Sequence, residues 1–351
     1  MRIQDYMLET PTKMKVIISK SDELFKEIIK QDINKIIITG SGTSYHSGVQ
    51  VQTYLQGILD AEVTAMYPFM ITKDTFKGKN EKTLIIGISQ GGSSYSTYNA
   101  MKVAKECGCI TASMAGCENA LIDEAADYIL TVYCGEEKAG AKTKGFYCTK
   151  LNLMLLGLKL GKENGQISQE KYKEEIDKIL DASDRFEDVY KKSEQWIEKN
   201  KSRLVEAKEI RIIGPAELYG DTLESALKLL ETMRVPVTGY EFEEFIHGIY
   251  NAINSDSTIF ILDTGKEPRV AKMIEVLSEW TSNIYVIGRN VASDDRNLQI
   301  NVSEDEHHQT FNFIVPMQLI CGEIPNLRGV NPSIPKDPKF HMKLGSKRFN
   351  K

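Results

Sequence analysis

Short, almost wholly apolar runs alternate with longer stretches in which apolar residues recur every three or four positions, and this alternation begins twice along the chain. In the first half the runs are Lys35–Thr39, Val63–Tyr67, Thr83–Ile88, Ile110–Met114 and Tyr128–Val132, with helix-like stretches opening near Tyr45 and Tyr95. Runs this short, lacking polar alternation, suit strands buried on both faces of a parallel sheet. A helix is expected over Cys148–Leu160, where Leu151, Leu155, Leu156 and Leu158 suit a buried face. The charged stretch Lys162–Lys201, with spaced apolar residues such as Tyr172, Ile176, Ile179 and Phe186, reads as helices linking two domains. The alternation then restarts with strands at Ile210–Ile213, Thr258–Asp263 and Asn283–Gly288 and helices near Thr222–Thr232 and Arg269–Trp280. Gly40 and Gly214, and likewise Ser89 and Asp263, stand 174 positions apart (214 − 40 and 263 − 89), which marks a divergent tandem duplication. The expected architecture is therefore α/β: two tandem αβα sandwich domains, each with a central parallel sheet. The expected boundaries are 1–165 for the first domain with its leading helix, 166–200 for a helical linker, 201–330 for the second domain and 331–351 for a tail.

Composition narrows the function classes. At 351 residues the chain can bury two cores, and a formal net charge of -5 argues against bulk nucleic-acid binding. No run approaches the roughly 18 apolar residues of a membrane span, and Met1-Arg2-Ile3-Gln4-Asp5 lacks a signal-peptide core, so a cytoplasmic location without a membrane partner is expected. The six cysteines form no paired CxxC sets, so reduced thiols are expected instead of a disulfide framework. No acid, His and Cys set has ligand spacing, so neither a metal nor a redox cofactor is expected.

The candidate chemistry begins where the third run empties into Ser89-Gln90-Gly91-Gly92-Ser93-Ser94 ahead of a helix. Glycines let backbone approach a ligand closely, and first-turn amides lack helical partners, so such a loop can cradle an anion. It holds no Lys or Arg and lacks triphosphate-loop spacing, so the anion expected is a monophosphate ester such as a sugar phosphate; an ordinary βα turn is the competing reading. A second region, Gly40-Ser41-Gly42-Thr43-Ser44-Tyr45-His46-Ser47-Gly48, also follows a strand, and open α/β sheets bind ligands at such carboxyl ends. A dinucleotide is disfavoured because Tyr45 stands where the third glycine of that fingerprint belongs.

Together, Gly42-Thr43-Ser44-Tyr45-His46-Ser47-Gly48 and Ser89-Gln90-Gly91-Gly92-Ser93-Ser94 resemble the double SIS (sugar isomerase) domain family. The likeness is to the isomerase half of glucosamine-6-phosphate synthase and to deglycases acting on fructosamine and glucoselysine 6-phosphates. Met7-Leu8-Glu9-Thr10-Pro11, Ala226–Glu231, Glu244-Phe245-Ile246-His247-Gly248 and the tail around Lys343 extend it over nearly the whole chain. The resemblance implies that Thr43, Ser44, Ser89, Gln90 and Ser94 bind phosphate and sugar hydroxyls, with Gly42, Gly91, Gly92, Ser93 and Lys142 in the same binding segments. It implies Glu231 as enolisation base, His247 as ring opener, Lys228 as a further active-site lysine and Lys343 as the family's C-terminal lysine. It also implies a homodimer whose sites borrow residues across the interface. Departures are Gly91 and Ser93 where the family often has Ser and Glu, Glu137–Lys144 in place of Val-Ala-Ser-Thr-Lys, and Ile249 in place of a proline after His-Gly. The chain starts Met1-Arg2 without an N-terminal cysteine nucleophile, so a free-standing enzyme is expected instead of a glutamine-dependent synthase.

Moving a carbonyl between neighbouring carbons needs a base that takes a proton from one and returns it to the other. Lys228 and Glu231, three residues apart on an expected helix, share a face, so the lysine can steady the carboxylate or the enediol; a surface ion pair is the competing reading. Lys343 reads equally as amine nucleophile or substrate-positioning cation. His46 is a candidate pocket lining, His307 and His308 read as helix-capping or solvent-facing, and His341 as tail packing. The expected activity is deglycation of an amino-linked sugar 6-phosphate to hexose 6-phosphate and a free amine, with a phosphosugar isomerase or deaminase and a non-catalytic phosphosugar sensor as the alternatives.

Overall fold

A computed structural model describes residues 2–348, so the last three positions of the expected tail, 349–351, lie outside the described residues. The chain forms two compact units: residues 6–138, 143–177 and 336–348 make the first, and residues 2–5, 139–142 and 178–335 the second.

In the first unit, α1 (Ile3–Leu8, shared at its start with the second) and α2 (Thr10–Phe25) precede β1 (Lys35–Thr39), α3 (Thr43–Ile58), β2 (Glu62–Met66), β3 (Thr83–Ile88), α4 (Tyr95–Glu106), β4 (Ile110–Met114), β5 (Tyr128–Ile129) and α5 (Lys144–Glu163). The sheet is parallel with order β2-β1-β3-β4-β5. Every residue of β3 is buried, as its unbroken apolar run requires of a central strand covered on both faces. The expected fifth run is shorter as a strand than its sequence suggests. Beyond Ile129 the chain stays alongside β4 through single bonds, Leu130 N–H to Ser113 O and Val132 N–H to Ala115 O, both 2.8 Å.

After α6 (Gln169–Asp184) and α7 (Phe186–Val205), the second unit repeats the plan: β6 (Glu209–Gly214), α8 (Tyr219–Met233), β7 (Val237–Glu241), α9 (Phe242–Ile246), β8 (Ser257–Asp263), α10 (Val270–Leu277), β9 (Ile284–Gly288), β10 (Leu298–Gln299) and α11 (Thr310–Leu327). α12 (Phe340–Leu344) returns to the first unit. The second sheet has order β10-β9-β8-β6-β7, the first sheet's order with strands renumbered, as a tandem duplication demands. The charged stretch is helical, as its spacing predicts. No helix among the described residues is long and apolar enough to cross a membrane, and none of the six cysteines is in a disulfide.

His308 departs from the expectation of capping or solvent: it is fully buried, its Nδ1 2.8 Å from Asp305 Oδ1, because Asp305 supplies a partner inside the fold. Glu323 of α11 is half-buried. Burial, then Glu194 and Glu198 of α7, pushes its carboxyl up to about 7 against the opposing charge of Arg2. The folded chain therefore holds this proton at pH values where the unfolded chain has released it, so stability falls as pH rises from about 4.5 towards 7. Glu323→Gln should raise stability at pH 8, by about 1 kcal/mol after allowing for solvent screening, and leave it unchanged at pH 5, read by urea denaturation at both values.

Candidate functional site

The first sheet reverses its direction of growth between β1 and β3, and ligands of open α/β sheets bind at such switch points. Thr39 pairs with Gly87, so the segments that follow β1 and β3 leave the sheet side by side. These are the two regions singled out by sequence. In the second of them, Gly92 donates its N–H to Ser89 O at 2.7 Å and adopts φ 68°, a left-handed turn that suits glycine. Ser89 Oγ accepts the Ser94 N–H at 3.4 Å, and Ser94 caps α4 by accepting the Thr97 N–H at 3.4 Å and the Thr97 hydroxyl at 3.2 Å. Gly91 is exposed and Ser93 half-buried. Across from them, Gly42 caps α3 with φ 56°, Thr43 opens that helix, Ser44 and His46 are buried, and the Ser47 hydroxyl bonds Thr43 O at 2.9 Å. Hydroxyls, glycines and two helix starts thus gather at one sheet edge. A Cβ on Gly92 would come within 2.5 Å of Ala120 Cβ and 2.9 Å of Cys117 Sγ. Gly92→Ala should therefore cost about 1–3 kcal/mol, measured by urea denaturation.

Gln90 is placed differently from its neighbours. Its Nε2 donates to Cys134 Sγ at 2.8 Å, its Oε1 accepts the Thr149 hydroxyl at 3.1 Å, and its carbonyl accepts the Gly116 N–H at 3.0 Å. A Cβ on Gly116 would meet Nε2 at 2.1 Å and one on Gly145 would meet Cδ at 2.9 Å, so the carboxamide is wedged inward between two glycines. It ties the loop to the start of α5.

That helix start holds the groups sequence reasoning missed. Glu137, 4% exposed, accepts the N–H of Thr143 (2.7 Å) and Lys144 (3.3 Å) and the Thr143 hydroxyl (3.1 Å) on one oxygen, and the Gly145 N–H (3.0 Å) on the other. A carboxylate there satisfies free first-turn amides and suits the positive end of the helix dipole. Lys144 is buried with Nζ 2.5 Å from Glu9 Oε2. Lys142, the lysine picked out from sequence, is half-buried two residues earlier and belongs to the second unit. The available signal was an acid in a Gly/Ala/Lys coil just before a helix start.

The tail also reaches the loop. Arg348 N–H donates to Ser93 O at 2.9 Å, Tyr95 N–H donates to Ser346 O at 3.3 Å, Ser94 and Lys347 form an antiparallel bridge, and the Arg348 guanidinium meets Glu124 at 2.6 Å. Lys343 sits on α12, largely exposed, with Nζ 2.5 Å from Asp337 Oδ2; that bond and a backbone bond from Lys339 hold the Asp337 carboxyl below its usual range. His341 Nδ1 lies 2.8 Å from Ser346 Oγ, so this histidine does pack the tail.

In the second unit, Lys228 and Glu231 meet on α8 with Nζ 2.5 Å from Oε2, while Glu224 Oε1 lies 3.8 Å from the same Nζ. The Lys228 and Glu224 side chains are 4% and 0% exposed, and Glu231 is 38% exposed. Burial works against the Lys228 charge, but Glu224 and Glu231 outweigh it and hold its pKa above the usual value. Lys228 is thus a fixed cation beside a carboxylate that keeps access to solvent. His247 is exposed just after α9, its Nδ1–H donating to Glu243 O at 2.7 Å, which leaves Nε2 outward. The switch point of this second sheet differs from the first: Asp263, Glu217 and Glu267 stand there, with the Thr264 hydroxyl bonded to Glu217 at 2.8 Å. The loops after β1 and β3, Gly40–Gly48 and Ser89–Ser94, carry no carboxylate.

Residues 28–159 match the SIS domain family. The chain is 28% identical over 297 residues to the isomerizing glutamine–fructose-6-phosphate aminotransferase of Helicobacter pylori strain J99, covering 84% of this chain and 49% of that protein. It spans about half the length of the curated relatives it matches. Among solved structures, a candidate phosphosugar isomerase from Clostridium difficile 630 is 72% identical over 100% of both chains, with a TM-score of 0.98. A candidate sugar-binding protein from Salmonella typhimurium LT2 is 40% identical over 92% of this chain and 99% of that one, with a TM-score of 0.85.

Proposed function

Because the chain belongs to the SIS domain family of phosphosugar-handling proteins, we propose that it is a deglycase: it holds an amino-linked sugar 6-phosphate by the loop after β3 and cleaves it to hexose 6-phosphate and a free amine. The observation that carries the reading is the Glu231–Lys228 pair, a solvent-accessible carboxylate against a buried, permanently charged ammonium. In the open-chain ketosamine, Glu231 takes a proton from the carbon bearing the nitrogen, next to the carbonyl. The Lys228 charge stabilises the developing oxyanion, giving an enaminol. Return of the proton to the former carbonyl carbon gives an imine; water adds to it, the carbon–nitrogen bond breaks, and the amine leaves with an aldose 6-phosphate. His247, whose Nδ1 is taken by Glu243 O, moves the ring-opening proton through Nε2. Lys343 positions the substrate or attacks its carbonyl; its pairing with Asp337 in this conformation supports positioning.

The test is product release by the purified protein from a panel of fructose-lysine, glucose-lysine and fructose-asparagine 6-phosphates and glucosamine 6-phosphate, with fructose 6-phosphate as control. Hexose 6-phosphate together with a free amino acid is the expected result. Interconversion of fructose and glucose 6-phosphates alone would make it an isomerase, ammonia from glucosamine 6-phosphate a deaminase, and tight binding without turnover a sensor.

A further inference from the structure

The second unit lacks a piece that its duplicate, the first unit, has. Between β4 and β5 the chain spends residues 115–127, and between β9 and β10 residues 289–297, thirteen against nine (127 − 114 and 297 − 288). The longer crossover holds a short 3-10 turn, Leu121–Ala125, whose Ile122 and Ala125 are buried in one apolar cluster with Ala100, Met101 and Ala104 of α4. The shorter crossover is free of helix along all nine residues. Ile274 and Ser278 of α10 stand in register with Ala100 and Ala104 (274 − 100 and 278 − 104, both 174), yet Ile274 is only half-buried and Ser278 is exposed. Where the turn would pack there is a cavity of about 660 Å³, lined by Val270, Ala271, Ile274 and Ser278 of α10, by Ile284 and Val286 of β9, and by the crossover itself. It lies wholly within the second unit and has the size of a small-molecule site.

Three charged side chains line this cavity, Asp263, Asp294 and Arg296. The Arg296 guanidinium is engaged, donating to Ser282 O and lying 3.9 Å from Asp294. Asp263, half-buried at the end of β8, accepts the Gly265 N–H on Oδ1 at 2.8 Å and meets no cation among the described residues. Burial raises its carboxyl above the usual range, against the smaller opposing effect of that N–H. A carboxylate half out of water and without a counter-charge is stabilised by a cation that enters beside it. Two carboxylates to one engaged guanidinium also disfavour a second sugar phosphate here.

We propose that this cavity binds a primary amine with a compact apolar body, the ammonium meeting Asp263 and the hydrocarbon taking the place of the missing turn against Val270, Ile274 and Val286. Ile122 and Ala125 show what the corresponding corner of the first unit accepts: branched and small hydrocarbon. The carboxylate adds the charge that selects an ammonium over an alcohol or an acid of similar shape. The cavity and Asp263 are features of the second unit alone and do not depend on the deglycase reading.

The experiment is calorimetric titration of the full chain near neutral pH with three probes of similar shape, isopentylamine, isopentanol and isocaproate. The proteins are the unmutated chain, Asp263→Asn and Ala271→Phe. Isopentylamine should bind the unmutated chain about tenfold tighter than either other probe, the margin of one charge-assisted hydrogen bond. Asp263→Asn keeps an acceptor for the Gly265 N–H and should bring the amine down to the level of the alcohol. Ala271→Phe, at an exposed position of α10, puts a ring into the cavity and should weaken amine and alcohol alike by about tenfold. Equal affinity for amine and alcohol, an amine affinity that survives Asp263→Asn, or no binding of any probe would overturn the site. So would a shift in sedimentation with Ala271→Phe while amine binding holds, which would give the cavity to a second copy of the chain. The three probes on the unmutated chain decide the point even where a thermal melt shows a variant unfolded.

Discussion

Glu231→Gln is expected to lower turnover of the amino-linked sugar phosphate by about 10²–10⁴-fold, the range a positioned general base contributes, while substrate affinity changes by no more than a few-fold. The glutamine keeps the shape and an oxygen to accept from Lys228 but cannot take a proton from carbon. Lys228 stays paired with Glu224, 3.8 Å away and fully buried, so the substitution does not strand an isolated buried charge. Steady-state kinetics, calorimetric binding and a thermal melt on the same preparation separate the three effects. Turnover within tenfold of the unmutated protein would remove Glu231 from the base role. Loss of binding in step with turnover would make it a substrate ligand instead.

Glu137→Ala is expected to destabilise the first unit by about 3–5 kcal/mol, because it strips a buried acceptor from three backbone N–H groups and one hydroxyl at the start of α5. Glu137→Gln keeps one good acceptor and should cost roughly half as much. Sugar-phosphate affinity should fall with it, since Gln90 packs on Gly145 in the same helix turn and bonds Thr149 one turn on. Urea denaturation and calorimetry read both effects. A loss below 1 kcal/mol would mean that water replaces the carboxylate at the helix start.

The strands that form the sheet centres were legible because burial on both faces writes an uninterrupted apolar run: Lys35–Thr39, Thr83–Ile88 and Ile110–Met114 match β1, β3 and β4 residue for residue. β7, Val237–Glu241, was not, because an edge strand with Gly239 inside it and Thr238 exposed carries no such run. The two loops at the first switch point were legible as punctuation between strand and helix. The direction in which Gln90 points was not: its sequence neighbours are ligand-type residues, and only the fold brings Cys134 and Thr149 to its carboxamide. Glu137 stayed hidden for a related reason, since a carboxylate in a charged, glycine-containing coil reads as solvated until a helix start closes over it. The pair Lys228 and Glu231 was visible as a spacing, but the buried Glu224 one turn back, which fixes the charge of the lysine, gave no sign of its role.

The contact between residues 346–348 and the loop at Ser93–Tyr95 has a bearing on how the molecule comes into being. Arg348 and its partner Glu124 are separated by 224 positions, and all of the second unit beyond residues 2–5 is encoded between them. A ribosome delivers that unit before it delivers the segment lying against Ser93, so during synthesis the cradle spends its early life with the Tyr95 amide and the Ser93 carbonyl open to water. Contacts so distant in sequence close late. The candidate binding edge of the first unit is thus finished by a segment made after the second unit, and a nascent chain carries an unfinished loop until that segment has emerged.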